Sequence, residues 1–211
     1  MKLDQNSTPT ILEYITATGH FQEPHRLLVA ITLKNIVKRA YGQHSYTHYE
    51  EQKRRDDESC PGDESDPSNW IDQASLSLLQ QNLVNLVMGV TERKIHSQLI
   101  EAIALMSKRN VQSEWPGLLP ELQQTLGSGD LRKIRVALEC IKKICKKYRF
   151  MFRSDALYSE MNYMIENMSG ILLQCLQAAT EQLGKEHSVE QHSEFLLIAN
   201  CVLHIFESIL S

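Results

Sequence analysis

Two stretches of the chain, HRLLVAITLKNIVKR (25–39) and IHSQLIEAIALMSKR (95–109), align without a gap. Val29, Ala30, Leu33 and Ile36 fall opposite Leu99, Ile100, Ile103 and Met106, and both stretches close on a Lys-Arg dipeptide. A third, RVALECIKKICKK (135–147), repeats the pattern with Ala137, Leu138, Ile141 and Ile144 and closes on Lys146-Lys147. Apolar residues at this spacing occupy one face of an α-helix. Each stretch follows another helical pattern, and the pairs start near Trp70-Ile71, Trp115 and Ser154, about 40 residues apart.

Two helices per repeat at that period predict an all-α fold, a HEAT-repeat α-α superhelix (solenoid) of about four helix pairs. Each pair leaves an apolar face that only the next can cover, so the array grows sideways. A plain helical bundle has no need of basic ends repeated in register. Helices are expected over about 8–18, from Pro24 to about residue 39, 71–88 and 94–109. Further ones run from Pro116 to the Gly127–Gly129 turn, from an Asp130 cap to about Lys147, and from Ser154-Asp155 to about Leu183 with a nick at Gly170. The last runs from near Ser188 to the C-terminus, with an apolar face that calls for a further repeat over it. Trp115 sits where a hydrophobic staple packs, and Pro116 costs little in a first helical turn because its missing N–H has no partner there.

Residues 1–41 form the first helix pair, 42–69 an insertion, and 70–211 the remaining repeats. The insertion has no helical periodicity. Its 50–66 stretch holds eight acids against three bases, a composition of solvated, disordered chain. The stretch 130–153 is the reverse, with nine Lys or Arg against Asp130 and Glu139. The net charge of −4 gives no general case for nucleic acid, and this asymmetry favours an electrostatically steered partner over a uniformly neutral surface. No run approaches about 18 consecutive apolar residues, so no membrane insertion is expected.

Phosphate-loop, dinucleotide and zinc-protease motifs are missing from the sequence. His44 and His48 have the i, i+4 spacing of a metal pair but no cysteine at ligand spacing, so a solvated loop is expected there. Cys140 and Cys145 lie beside Lys142 and Lys143, which would lower a thiol pKa, yet their spacing puts them at the apolar face of a helix. No cofactor, metal or catalytic set is expected. The basic residues Lys34, Lys38, Arg39, Lys94, Lys108, Arg109, Arg132, Arg135, Lys142, Lys143, Lys146 and Lys147 fall on the second helix of a pair or at its ends. They are read either as a ladder along one wall or as partners of helix C-terminal dipoles, an account that suits Arg132 and Arg135 badly.

RLLVAITLKNIVKRAY (26–41) resembles the segment that closes the N-terminal domain of the importin-beta (karyopherin) superfamily. Trp115-Pro116 with Leu118, Leu119 and Leu122 is similar to its repeat start. Phe152-Arg153-Ser154-Asp155, followed by Leu157 and Tyr158, is similar to the CAS-type exportin branch, which returns importin-alpha to the cytoplasm. The likeness covers about residues 24–183. It implies a nuclear transport receptor, not an enzyme, passing between nucleus and cytoplasm and across the nuclear envelope. The implied partners are the small GTPase Ran in its GTP form, a cargo such as importin-alpha, and nuclear pore proteins. Ran-facing candidates carried onto this chain are Lys34, Asn35, Lys38, Arg39, Lys108 and Arg109, then Arg132, Arg135, Lys142 and Lys143. The family's first helix, upstream of about residue 8, is absent or altered, and members continue for many more repeats. The alternative is a generic HEAT-repeat scaffold that binds a protein without a GTPase.

Overall fold

The structure, a computed structural model, describes residues 3–17, 20–41, 70–108, 110–151 and 153–210. The acidic insertion, with His44 and His48, lies outside the described residues, as does Arg109. The chain divides into two compact units, Met1–Lys108 and Arg109–Ser211.

The first unit holds α1 (Ser7–Thr16), α2 (Glu23–Tyr41), α3 (Gln73–Gly89) and α4 (Arg93–Met106). Helix α1 packs on α2 and α3 on α4; the two hairpins then stack, α1 on α3 and α2 on α4. The aligned positions explain the stacking. Ala30, Leu33 and Ile36 of α2 are buried, as are Leu99, Ile100, Ile103 and Met106 of α4; Val29 alone of that set is half-buried. Asp72 caps α3 by accepting from the Ser75 N–H at 2.6 Å. The segment before α1 is tied to this cap. Leu3, fully buried, donates to Trp70 O at 2.8 Å and accepts from Asp72 N at 3.2 Å, an isolated parallel bridge that sequence periodicity does not register.

The second unit holds α5 (Val111–Glu114), α6 (Leu118–Leu126), α7 (Leu131–Cys145), a 3-10 turn (Lys146–Arg149), α8 (Asp155–Leu183) and α9 (Val189–Leu210). Its contacts repeat those of the first: α6 packs on α7 and α8 on α9, with α6 against α8 and α7 against α9. Asp130 and Ser154 cap α7 and α8 as expected, through the N–H groups of Lys133 and Leu157.

Three local expectations change, and α9 has a composition of its own. Pro116 does not begin a helix: it stands in a turn with Gly117, and α6 begins at Leu118, while Asn110 caps the one-turn α5 just upstream. Trp115, buried, plugs the junction between them. Helix α4 ends at Met106, so Lys108 lies in the bend beyond it rather than on the helix. Helix α8 runs through Gly170 unbroken; an added Cβ there would meet nothing, and the glycine is simply exposed. Finally, α9 is long and apolar enough to cross a membrane by length and composition, with a window of mean hydropathy 1.5. One face of it (Phe195, Ile198, Val202, Ile205) is buried on α7 and α8; on another, Val189, Leu196, Leu203 and Leu210 are exposed at seven-residue intervals.

Each unit also holds an ion pair at a junction, buried on both sides in the second unit and on the Arg26 side in the first. In the first, Arg26, 2% exposed, donates through Nε to Ile15 O at 2.8 Å and through Nη1 to Glu92 Oε1 at 2.5 Å. It thereby ties the end of α1 to the residue preceding α4. Burial pulls the Glu92 carboxyl up, but the bonds from Arg26, its own backbone N–H and Thr91, with the Arg26 charge, together hold it below its ordinary 4.5. In the second, Lys147 Nζ meets Glu160 Oε1 at 2.6 Å, with both side chains buried, and the same oxygen accepts from Val111 N at 3.2 Å. Burial pushes the Lys147 ammonium down, while Glu160 opposes the shift.

Removing one partner of a buried pair leaves the other charge without compensation, so Glu160→Ala should cost about 3–5 kcal/mol in urea unfolding. A loss under about 1 kcal/mol would show that the pair is solvated in solution. Because folding lowers the Glu92 pKa, its contribution is complete above 4.5 and fades as acid titrates the folded carboxyl. Thermal melts of wild type and Glu92→Gln should therefore differ near neutrality and converge as pH falls past 4.5; a constant gap would contradict this linkage.

Candidate partner-binding face

Within each unit the second helices of the two hairpins, α2 with α4 and α7 with α9, lie side by side. Burial of their apolar stripes decides which residues remain outside. On α2, Asn35, Lys38 and Arg39 are exposed and Lys34 is half-buried; Leu28, 62% exposed, continues the same side one turn-pair earlier. Arg39 is not a loosely held cation. Its guanidinium sits 5.3 Å from the centre of the Trp70 ring, which fixes the last turn of α2 against the start of the second hairpin. On α4, Lys94 is exposed and Lys108 is half-buried beyond the helix end.

In the second unit the candidates separate. Arg132 and Lys143 are exposed and Lys142 is half-buried. Arg135 holds two helices together, bonding Glu139 Oε1 at 2.6 Å within α7 and Glu194 Oε2 at 2.9 Å on α9. Its place near the start of α7, awkward for a helix dipole, follows from pairing across the two helices. Lys147 is likewise spent on Glu160. The structure therefore groups Lys34, Asn35, Lys38 and Arg39 on one helix side, sets Lys108 beyond the end of α4, and gives Arg135 to the contact between α7 and α9.

Cys140 and Cys145 do not form a reactive centre. Cys140 and Cys145 have no exposed surface, and burial pushes both thiols up, that of Cys145 to about 12 despite the Lys147 charge. A shallow polar depression of about 460 Å³ carries titratable groups without bringing them together. Asp155, Tyr158, Tyr163 and Glu166 line it with Gln112. The two carboxylates stand eleven residues apart on α8, roughly 16 Å along the axis, too far to share a proton or a substrate atom.

Sequence reading missed Arg26, Glu92 and Glu160. A signal was available for two of them. Arg26 occupies the apolar register of Ala30, Leu33 and Val37, and Glu160 that of Leu157, Met164 and Met168. A lone charge in a buried stripe must find a partner.

These features define an α-α repeat protein that offers helix faces and exposed turns rather than a cleft. Comparison with known proteins agrees. Residues 144–209 match the Cse1 family model. Exportin-2 of Drosophila melanogaster is 25% identical over 183 residues, 87% of this chain and 17% of that protein. Exportin-2 of Homo sapiens is 28% identical over 138 residues, 65% and 14% respectively. The solved structure titled "The exportin Cse1 in its cargo-free, cytoplasmic state" superposes with a TM-score of 0.76 at 21% identity, covering 98% of this chain and 20% of that one. The fold is thus the all-α helical solenoid of that structure, and the resemblance lies with the importin-beta superfamily and its CAS-type exportin branch. The chain spans about a sixth of the length of the curated relatives it matches.

Iodoacetamide labelling with mass mapping should leave Cys140 and Cys145 unmodified at pH 8 until denaturant is added. Modification of either in the native chain would restore the nucleophile reading.

Proposed function

We propose that the chain acts as the Ran-binding, N-terminal helical-repeat region of a nuclear transport receptor of the CAS-type exportin kind. The observation that carries the reading is the outward side of α2, where Asn35, Lys38 and Arg39 stand exposed beside Lys34 with Arg39 held on Trp70. A preset cation loses less entropy on binding than a mobile one. The GTP form of a Ran-like GTPase meets these residues first, with Lys108 and Arg109 from the following hairpin and Arg132, Lys142 and Lys143 from the second unit as further candidates. Arg135 supports α7 and α9 and contributes little to the partner directly.

Cargo, with importin-alpha as the branch's counterpart, and nuclear pore proteins are the other proposed partners, and nucleus and cytoplasm the proposed locations. Binding of the GTPase is linked to that of cargo, each changing the affinity for the other by the same factor. The names of the relatives and the charge on α2 support this reading over a generic HEAT scaffold.

Pulldown with Ran loaded with GTP or GDP tests it. The full chain should retain the GTP form at least tenfold better, and Lys34→Glu/Lys38→Glu should abolish most of that retention at 0.1 M salt while far-UV CD stays unchanged. Equal retention of both forms would favour the scaffold.

A further inference from the structure

The turn that joins α7 to α8 displays an apolar pair on an anchored backbone. Within Lys146–Met151 two adjacent residues anchor the turn and the others are exposed. Lys147 is buried on Glu160 and Tyr148 is 6% exposed, and these two hold the turn down. Phe150 N and Met151 N both donate to Lys147 O, at 3.0 and 3.1 Å, which fixes the backbone that follows. The result is that Phe150 stands 76% exposed and Met151 42% exposed on a braced turn. A large aromatic held out in water on a rigid support gains nothing for folding, whereas it is well placed to be an interface anchor.

The surroundings are cationic. Lys143 and Lys146, three residues apart and both exposed, precede Phe150, and Arg149 adjoins it in sequence. Arg149 is bound at 2.5 Å to Glu207 of α9, so it frames the turn with a fixed geometry. From these observations we infer that the Lys146–Met151 turn docks an acidic protein segment carrying an apolar side chain, with Phe150 and Met151 gripping the apolar residue and Lys143 and Lys146 meeting the flanking carboxylates. Charge complementarity selects the acidic partner. A membrane surface fits less well, since the turn offers two apolar side chains where an interfacial site needs an extended apolar face. Nucleic acid fits less well because Arg149 is already neutralised and the display is a single projecting turn rather than a groove.

The test is selection of a random twelve-residue phage-displayed library on the full chain, with Phe150→Ser/Lys146→Glu as counter-target. Far-UV CD and thermal melting of each variant confirm the fold, which these exposed positions should leave intact. The expected outcome is a recovered pool enriched in Asp and Glu around a Leu, Ile or Phe. Synthetic peptides from it should bind at least tenfold more weakly to Phe150→Ser and to Lys143→Glu/Lys146→Glu, with partial recovery in Phe150→Leu. A pool with no acidic bias, no pool above the counter-target, or peptide binding indifferent to Phe150 would overturn the inference. So would Phe150-dependent binding of phosphatidylcholine–phosphatidylserine vesicles or of oligo(dT) exceeding that of the peptides.

Discussion

A helix hairpin has two apolar sides and can cover only one of them itself. That constraint governs both units. In the first, the stripe of Ala30, Leu33 and Val37 that α2 does not cover with α1 is met by α4; in the second, α7 is met by α9. First helices stack on first helices in the same way, α1 on α3 and α6 on α8. What remains for partners is therefore narrow: one side of each second helix and the turns between helices. A repeat fold of this kind keeps its binding chemistry on strips and edges, because its interior is consumed by neighbours.

The charged residues inside the units do a different job from those outside. Arg26 contacts the last turn of α1 and the residue before α4; Glu160 contacts the turn after α7 and the first residue of α5. Each therefore joins three segments that apolar packing alone would let slide. A buried pair gains little net stability over apolar side chains of the same size, but a slipped hairpin would leave it unpaired at a cost of several kcal/mol. These pairs thus select the register in which the hairpins stack, and the exposed strips inherit that register.

The stacking was legible in the sequence for a physical reason: at Leu33, Ile103 and Ile141 nothing but an apolar side chain fits between layers, so the repeat leaves its mark on composition. The caps at Asp130 and Ser154 were readable on similar grounds, since a helix start must satisfy its own N–H groups. Pro116 misled because a proline suits a tight turn as well as a first helical turn, and only the burial of Trp115 decides between them. The Leu3–Ile71 bridge was invisible, being a contact between backbones far apart in sequence that needs no particular side-chain pattern. Among the candidate positions, the exposure of Asn35, Lys38 and Arg39 follows from the spacing of the apolar stripe they avoid. The role of Arg135 does not, because it depends on Glu194, fifty-nine residues away.

Much of the charge in the basic stretch 130–153 is paired in the structure. Its excess of positive charge suggests a broad field, yet Lys133 pairs with Asp130, Arg135 with Glu139 and Glu194, Lys147 with Glu160 and Arg149 with Glu207. Three of those five acids (Glu160, Glu194, Glu207) come from outside the stretch, so its net charge in the folded unit is much lower than a local count implies. Pairing also sorts the residues by role. Cations that meet acids of α8 and α9 position helices, and the turn they secure displays Phe150. The strength of a local charge run is therefore a poor guide to what a partner meets; the guide is which charges the fold has left facing water, and what apolar surface it has set beside them.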